Sequence, residues 1–398
     1  MPADRRPGTA ATSGPVPRPA PTATARRRRL AFLAVAGGFL ALGVGFGNWA
    51  VRVPDVAHRL GLDHAELGTL LLMLAVGSLP GMSLAGALAA RLDAAVLAIG
   101  CLGLFAVSIA IPPWADGAGS LGLALFLLGA ANGALGVVLN GQAALLERVL
   151  GRPVLSTCHA VFSLGAFAGS LTGSTIANAG LPVHWHLVGV AVVLLALTVG
   201  FAPHFVRNPP APGARPFARP NRTLVAFGVL AFAVLLGEGA ATDWSAVYLR
   251  DVLHASPGTA GLAYASFALT MAGGRFAGDW LAGRFGQSPV VRVAGVVASA
   301  GVLVTLLAPT AAVGIVGFGL LGAGASVVFP QVMASVARRF HAPAAAISAV
   351  SSVGYLGFLL GPALIGYVSH ALNLRVGLVV VLACAVAIVG LSGRLRAA

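Results

Sequence analysis

Acidic side chains are scarce in this sequence, 11 in 398 residues, and one stands where acids are rarely placed. Glu238 lies between two glycines in Leu236-Gly-Glu-Gly-Ala240, near the middle of an apolar run over 223–249. In a bilayer-crossing helix a charged group at that depth costs roughly 2.5–3.5 kcal/mol on insertion scales. Such a cost is met by a partner or a polar cavity, and a carboxyl so placed can take up and release a proton. The plainer alternative is a hydrogen-bonded glutamate that only fixes helix packing. Asp243 follows five residues on, about 140° around a helix, and so does not share a face with Glu238. It is a second proton carrier or a structural partner of Arg250. His159 is a third candidate, forming a proton exit with Glu147 or serving as a structural histidine.

Other polar groups in apolar runs are candidates to line a solute cavity. Asn48, Asn132, Asn140 and Gln331 offer amides, with Asn132 and Asn140 about 80° apart on one helix. Gln331 also stands beside Pro330, where freed backbone groups need partners. Tyr264 and Tyr355, with Trp49 and Trp244, offer rings for a sugar-like ligand, although interfacial belts and core packing account for most such aromatics. Arg275 is expected to pair with Asp279 one turn on, and Arg91 and Arg284 join them as gating candidates. There is no phosphate-binding loop, metal-ligand spacing or nucleophile elbow. The reading therefore holds no catalytic group, no metal and no cofactor.

The elements that must position these groups follow from composition. The chain is 58% hydrophobic and 9% charged, whereas soluble domains carry about 25% charged residues. Apolar runs of about 20 residues, the length of a membrane-crossing helix, recur near 30–51, 66–88, 94–112, 119–146, 157–179 and 186–204. Six more follow near 223–249, 259–282, 290–308, 312–337, 345–369 and 375–393. This predicts an all-α integral membrane protein of twelve transmembrane helices. Residues 1–29 read as a basic disordered tail, because the apolar run after Arg29 is long for a signal peptide. Residues 205–222 hold five prolines and four arginines, and read as a linker joining bundles 30–204 and 223–398. Cys101, Cys158 and Cys384 fall inside apolar runs and read as buried core residues.

All 25 basic residues are arginine, and only Arg52, Arg59, Arg250 and Arg375 fall on the side away from the tail. Cytoplasmic loops carry the excess of Lys and Arg, which places both termini in the cytoplasm. The net charge of +14 is thus topological, and no nucleic-acid partner is implied. The halves also repeat in order. Asn48-Trp49 aligns with Asp243-Trp244, and Ala85–Leu92 with Gly278–Phe285. Val137–Leu139 aligns with Val327–Phe329, and Ser163–Gly165 with Ser352–Gly354, all at nearly one offset.

On these features residues 30–394 resemble the major facilitator superfamily, with its two pseudo-symmetric six-helix bundles. Part of that family's loop signature is present: Gly86, Leu88, Ala89 and Arg91 in the first half, Leu281, Ala282, Arg284 and Gly286 in the second. Ala90 and Gly283 stand where the family has an acid, and Asp93 comes three residues late. The stretches Arg52-Val-Pro-Asp55, Gly151–His159, Asp243–Arg250 and Gly274–Asp279 are similar to a bacterial fucose-permease-like branch. The resemblance implies a transporter of the bacterial inner (cytoplasmic) membrane that alternates access to a central cavity and works as a monomer in the bilayer. Gly165, Gly169 and Gly173 lack the proline of the family's antiporter signature, which favours proton-coupled uptake (symport) of a small polar solute. The rivals are a proton-driven exporter of amphipathic compounds and a non-transporting membrane receptor.

Overall fold

The computed structural model describes residues 25–209, 222–340 and 343–395. Most of the expected tail and the centre of the expected linker lie outside these residues. Among the described residues the chain forms thirteen α-helices. In the first half these are α1 (Ala25–Leu60), α2 (His64–Ala89), α3 (Ala94–Ser108), α4 (Ala118–Leu150), α5 (Leu155–Asn178) and α6 (Val183–Phe201). The second half holds α7 (Arg222–Asp251), α8 (Pro257–Phe285), α9 (Gln287–Leu306), α10 (Ala311–Ala325), α11 (Val328–Arg339), α12 (Pro343–Ala371) and α13 (Leu374–Leu391).

These match the twelve expected spans, with the tenth broken into α10 and α11. The break has a local cause. Pro330 sits in the first turn of α11, where its missing N–H cannot bond the carbonyl of Ser326 and its ring crowds that carbonyl. Eleven helices are long and apolar enough to cross a membrane. The twelfth, α8, is 29 residues long but carries Arg275, Asp279 and Arg284. Its first two turns and middle are packed inside the protein, while Phe276, Trp280 and Phe285 toward its end are exposed.

Four helix starts among the described residues, those of α2, α3, α8 and α13, are set by side-chain caps. Asp63 accepts from the backbone N–H groups of Ala65 and Glu66, and Glu66 returns the bond to Asp63 N–H, a full capping box on α2. That backbone bond from Glu66 holds the Asp63 carboxyl below its ordinary pKa. Asp93 accepts from Ala95 N–H and caps α3. The displaced loop acid thus serves as a helix cap.

Packing repeats between the halves. α1 lies against α5 as α7 lies against α12, α2 against α4 as α8 against α10, and α3 against α6 as α9 against α13. The halves are joined chiefly by α5 with α8 and α2 with α12, which the repeat exchanges, and also by α1 with α7 and α8. The α1–α5 seam is backbone against backbone. A side chain at Gly43 would meet the carbonyl of Phe162, and one at Gly165 would meet that of Leu40. Without a hydrophobic drive between helices in lipid, this close approach is what van der Waals packing needs. We therefore expect Gly43→Val to destabilise the fold by about 2 kcal/mol through overpacking. Gly100→Ala, where nothing lies within 4 Å, should be neutral; thermal unfolding in detergent compares the two.

Candidate functional site

Glu238 does have a partner. Arg275 Nη2 lies 3.2 Å from its Oε1 and 3.4 Å from its Oε2, and both side chains are largely buried, at 13% and 15% exposure. The pair joins α7 to α8 within the second half. Arg275 Nη1 then donates to Ser163 Oγ on α5 at 2.8 Å, so the guanidinium crosses between the halves. The expected pairing of Arg275 with Asp279 is corrected. Asp279 turns outward, is exposed, and accepts instead from Gln331 Nε2 at 3.4 Å.

The polar path continues into the first half. Ser163 Oγ donates to the carbonyl of His159, and His159 Nε2 lies 3.1 Å from Asn140 Oδ1. Asn140 Nδ2 donates to Gly136 O at 2.8 Å, which leaves Oδ1 as the acceptor. His159 therefore carries its proton on Nε2, with Phe39 against its ring edge. Thr242 Oγ1 bonds the Glu238 carbonyl, and the Tyr264 hydroxyl is within reach of Thr242. Tyr264 is 4% exposed and stacks on Phe267, whereas Tyr355, within electrostatic range of Glu238, is 44% exposed. Of the two tyrosines, Tyr355 is thus the exposed one.

Other expected residues fall elsewhere. Asp243 and Asn132 make no side-chain hydrogen bond or ion pair among the described residues, so the expected Asp243–Arg250 pairing is absent. Asn48 is 2% exposed with both amide atoms engaged, to Val44 O and to His186 Nε2, and is not a cavity residue. Gln331 is buried in a cluster with Gln287, Ser335 and Asp279 that ties α8, α9 and α11. Glu147 accepts from the N–H groups of Val154 and Leu155 at the start of α5, so it is a helix cap and not a partner of His159. Trp49 and Trp244 are buried packing residues. Arg91 and Arg284 are exposed; Arg284 lies over the Phe285 ring and makes no ion pair among the described residues.

A second polar assembly, missed from sequence, closes the face opposite the chain ends. Asp55 accepts from Arg250 Nη1 across the halves at 2.8 Å. Asp251 meets His58 at 2.9 Å and His64 at 3.2 Å, Asp63 meets His370 at 3.4 Å, and Thr69 bonds Tyr367. Beside them the helices approach closely: Gly68 faces the backbone of Pro362 and Gly366, Gly258 faces Ser174 and Asn178, and Gly261 faces the side chains of Ser174 and Val51. The signal was present in the four arginines that broke the charge bias. Arg52 and Arg250 bind this assembly, while Arg59 bonds the carbonyls of Pro113 and Ala115 in the α3–α4 connection and Arg375 those of Leu306 and Ala308 at the end of α9. At the opposite ends of α2 and α8, Gly86 and Gly283 face open space and Leu84 and Trp280 are exposed. The bundles are thus joined by these polar and backbone contacts at the far face, whereas a side chain at Gly86 or Gly283 would meet nothing within 4 Å at the basic face.

Two mirrored helical bundles joined across one face, with a buried ion pair in the second that reaches Ser163 of the first, define a polytopic membrane transporter. The chain belongs to the Major Facilitator Superfamily. That family's profile matches residues 226–396. The chain is 36% identical to an uncharacterized transporter of Sinorhizobium fredii over 88% of this chain and 94% of that protein. It is 32% identical to an uncharacterized MFS-type transporter of Yersinia pestis, over 85% and 88%. Among solved structures it is similar to the nucleoside transporter NupG, with TM-score 0.67 and 16% identity over 92% of this chain and 98% of that one. It is also similar to the E. coli fucose:proton symporter FucP, with TM-score 0.61 and 17% identity over 94% and 100%.

The ion pair yields a stability prediction. Removing one member of a buried pair strands the other and costs about 3–5 kcal/mol, whereas replacing both is nearly neutral. Arg275→Met should therefore lower the melting temperature sharply, and Glu238→Gln with Arg275→Met should recover most of the loss.

Proposed function

We propose that this transporter imports a small polar solute together with protons, across the bacterial cytoplasmic membrane, with Glu238 as the proton-carrying group. The observation that carries the reading is the Glu238–Arg275 pair, fastened to Ser163 of the other bundle. When Glu238 is ionised, Arg275 is neutralised at bilayer depth and held between the bundles. A proton on the carboxyl discharges Glu238 and leaves Arg275 without its counter-charge, which in a low-dielectric site changes the balance between the two bundle arrangements. Asn140, His159 and the accessible Tyr355 supply donors, acceptors and a ring for a polar solute. Asp243 and Asn132, whose side chains make no hydrogen bond or ion pair among the described residues, extend that surface.

Orientation follows from arginine bias, which puts the basic face and both termini in the cytoplasm. On this reading the state with its far face latched is the inward-open one, and bundles 30–204 and 223–398 rock about the central cavity. In the opposite state Arg91, Arg284 and Asp279 come together as the basic-face gate. A nucleoside transporter and a fucose:proton symporter among the solved structures of this fold agree with a polar solute. The unit is a monomer, since both gates and the ion pair lie within one chain.

Proteoliposomes with a pH-sensitive dye test the reading on a panel of sugars, nucleosides, amino acids and cationic drugs. Wild type should take up protons with at least one polar solute, and Glu238→Gln should lower that flux more than tenfold. Solute-driven proton uptake that survives Glu238→Gln at the wild-type rate would contradict it.

A further inference from the structure

The far-face latch depends on a side chain that touches neither bundle's partner. Asp55 on α1 bridges Arg250 of the other bundle and Arg52 of its own, the latter at 2.6 Å. Arg52 is 4% exposed and every branch of its guanidinium is engaged. Nη1 meets Asp55, Nη2 donates to Leu181 O at 2.6 Å, and Nε donates to His186 Nδ1 at 2.8 Å. A guanidinium has no acceptor, so His186 Nδ1 must carry no proton. Its Nε2 then holds the hydrogen, and Asn48 Oδ1 receives it at 2.8 Å. Asn48 is itself anchored by its Nδ2 on Val44 O, which presents Oδ1 to the imidazole. The charged groups facing His186 are Arg52 and Asp55, both from α1.

We propose that His186 is a positioning residue for alternating access: a neutral imidazole, with its tautomer set by Asn48, that aims Arg52 so that Asp55 is held for Arg250. This rests on the alternating-access reading above. Without the Nδ1 acceptor, Arg52 loses one of three anchors, Asp55 loses its fixed direction, and the far face opens more often. A protonated His186 would have the same effect, because it would turn an N–H toward the guanidinium.

Ser174→Cys provides the reporter, in a chain whose three native cysteines are alanine. Ser174 is buried between α5 and α8 beneath the latch, against Gly258 and Gly261. A membrane-impermeant maleimide reaches it from the far face only when that face opens, and Gly86→Cys reports the basic face. At neutral pH, His186→Leu, which keeps apolar volume without an acceptor, should raise Ser174→Cys labelling about tenfold, in line with loss of a bond to a charged group. Asp55→Asn should raise it at least as much, and adding His186→Leu to Asp55→Asn should add little. His186→Gln, whose amide can accept from Arg52 and donate to Asn48, should stay within about twofold of the parent. Should His186→Leu not reach the membrane, Asn48→Ala should move labelling in the same direction, since it releases the tautomer. If Asp55→Asn opens the far face and neither His186→Leu nor Asn48→Ala does, His186 is packing alone and the proposal fails while alternating access stands. If neither reporter responds to any variant, the bundles do not exchange faces, and the proposal falls together with the alternating-access reading.

Discussion

An arginine between two membrane bundles is the constraint around which the rest is arranged. At that depth a guanidinium must be neutralised and hydrogen-bonded. Arg275 achieves both with one carboxylate from its own bundle and one hydroxyl from the other. Arg275 is therefore a polar tie between the halves at mid-depth, apart from the ion pairs of the far face and the small-residue contacts beside them. Glycine-lined seams hold each bundle together as a rigid body, and they leave the polar contacts between bundles to decide which face is shut.

The two polar assemblies divide the work by depth. At the far face, several partly exposed ion pairs join the bundles, each weak by itself because water and ions screen it. Their number and the glycine contacts beneath them close that face without making closure irreversible. Midway through, one largely buried pair sits where the low dielectric magnifies any change in charge. A latch of many weak contacts and a switch at one buried pair suit a protein that must change state repeatedly.

Much of this was legible in the residues. Twelve spans could be read because each is an uninterrupted apolar run, and α8 was found despite its charges because it mirrors α2. Glu238 stood out because its surroundings offer water nowhere. Its partner did not, since Asp279 lies one helical turn from Arg275 while Glu238 is far off in sequence, and only the packing of α7 on α8 decides between them. Asn48 looked like a cavity residue for the same reason: the His186 that consumes its amide lies on another helix. Gln331 was displaced by the break at Pro330, which turns α11 toward Gln287 and Asp279. The far-face assembly was visible only as four arginines on the wrong side, and in the structure each of the four holds a specific partner.

The central claim is that the Glu238 carboxyl gains and loses a proton while Arg275 faces it. Infrared difference spectra of the protein in lipid, recorded between acid and neutral pH, address that directly. The account predicts a protonated-carboxyl band on the acid side that vanishes in Glu238→Gln and moves in Arg275→Lys. Spectra of Glu238→Gln identical to those of wild type would show that this carboxyl never changes its charge, and would contradict the account.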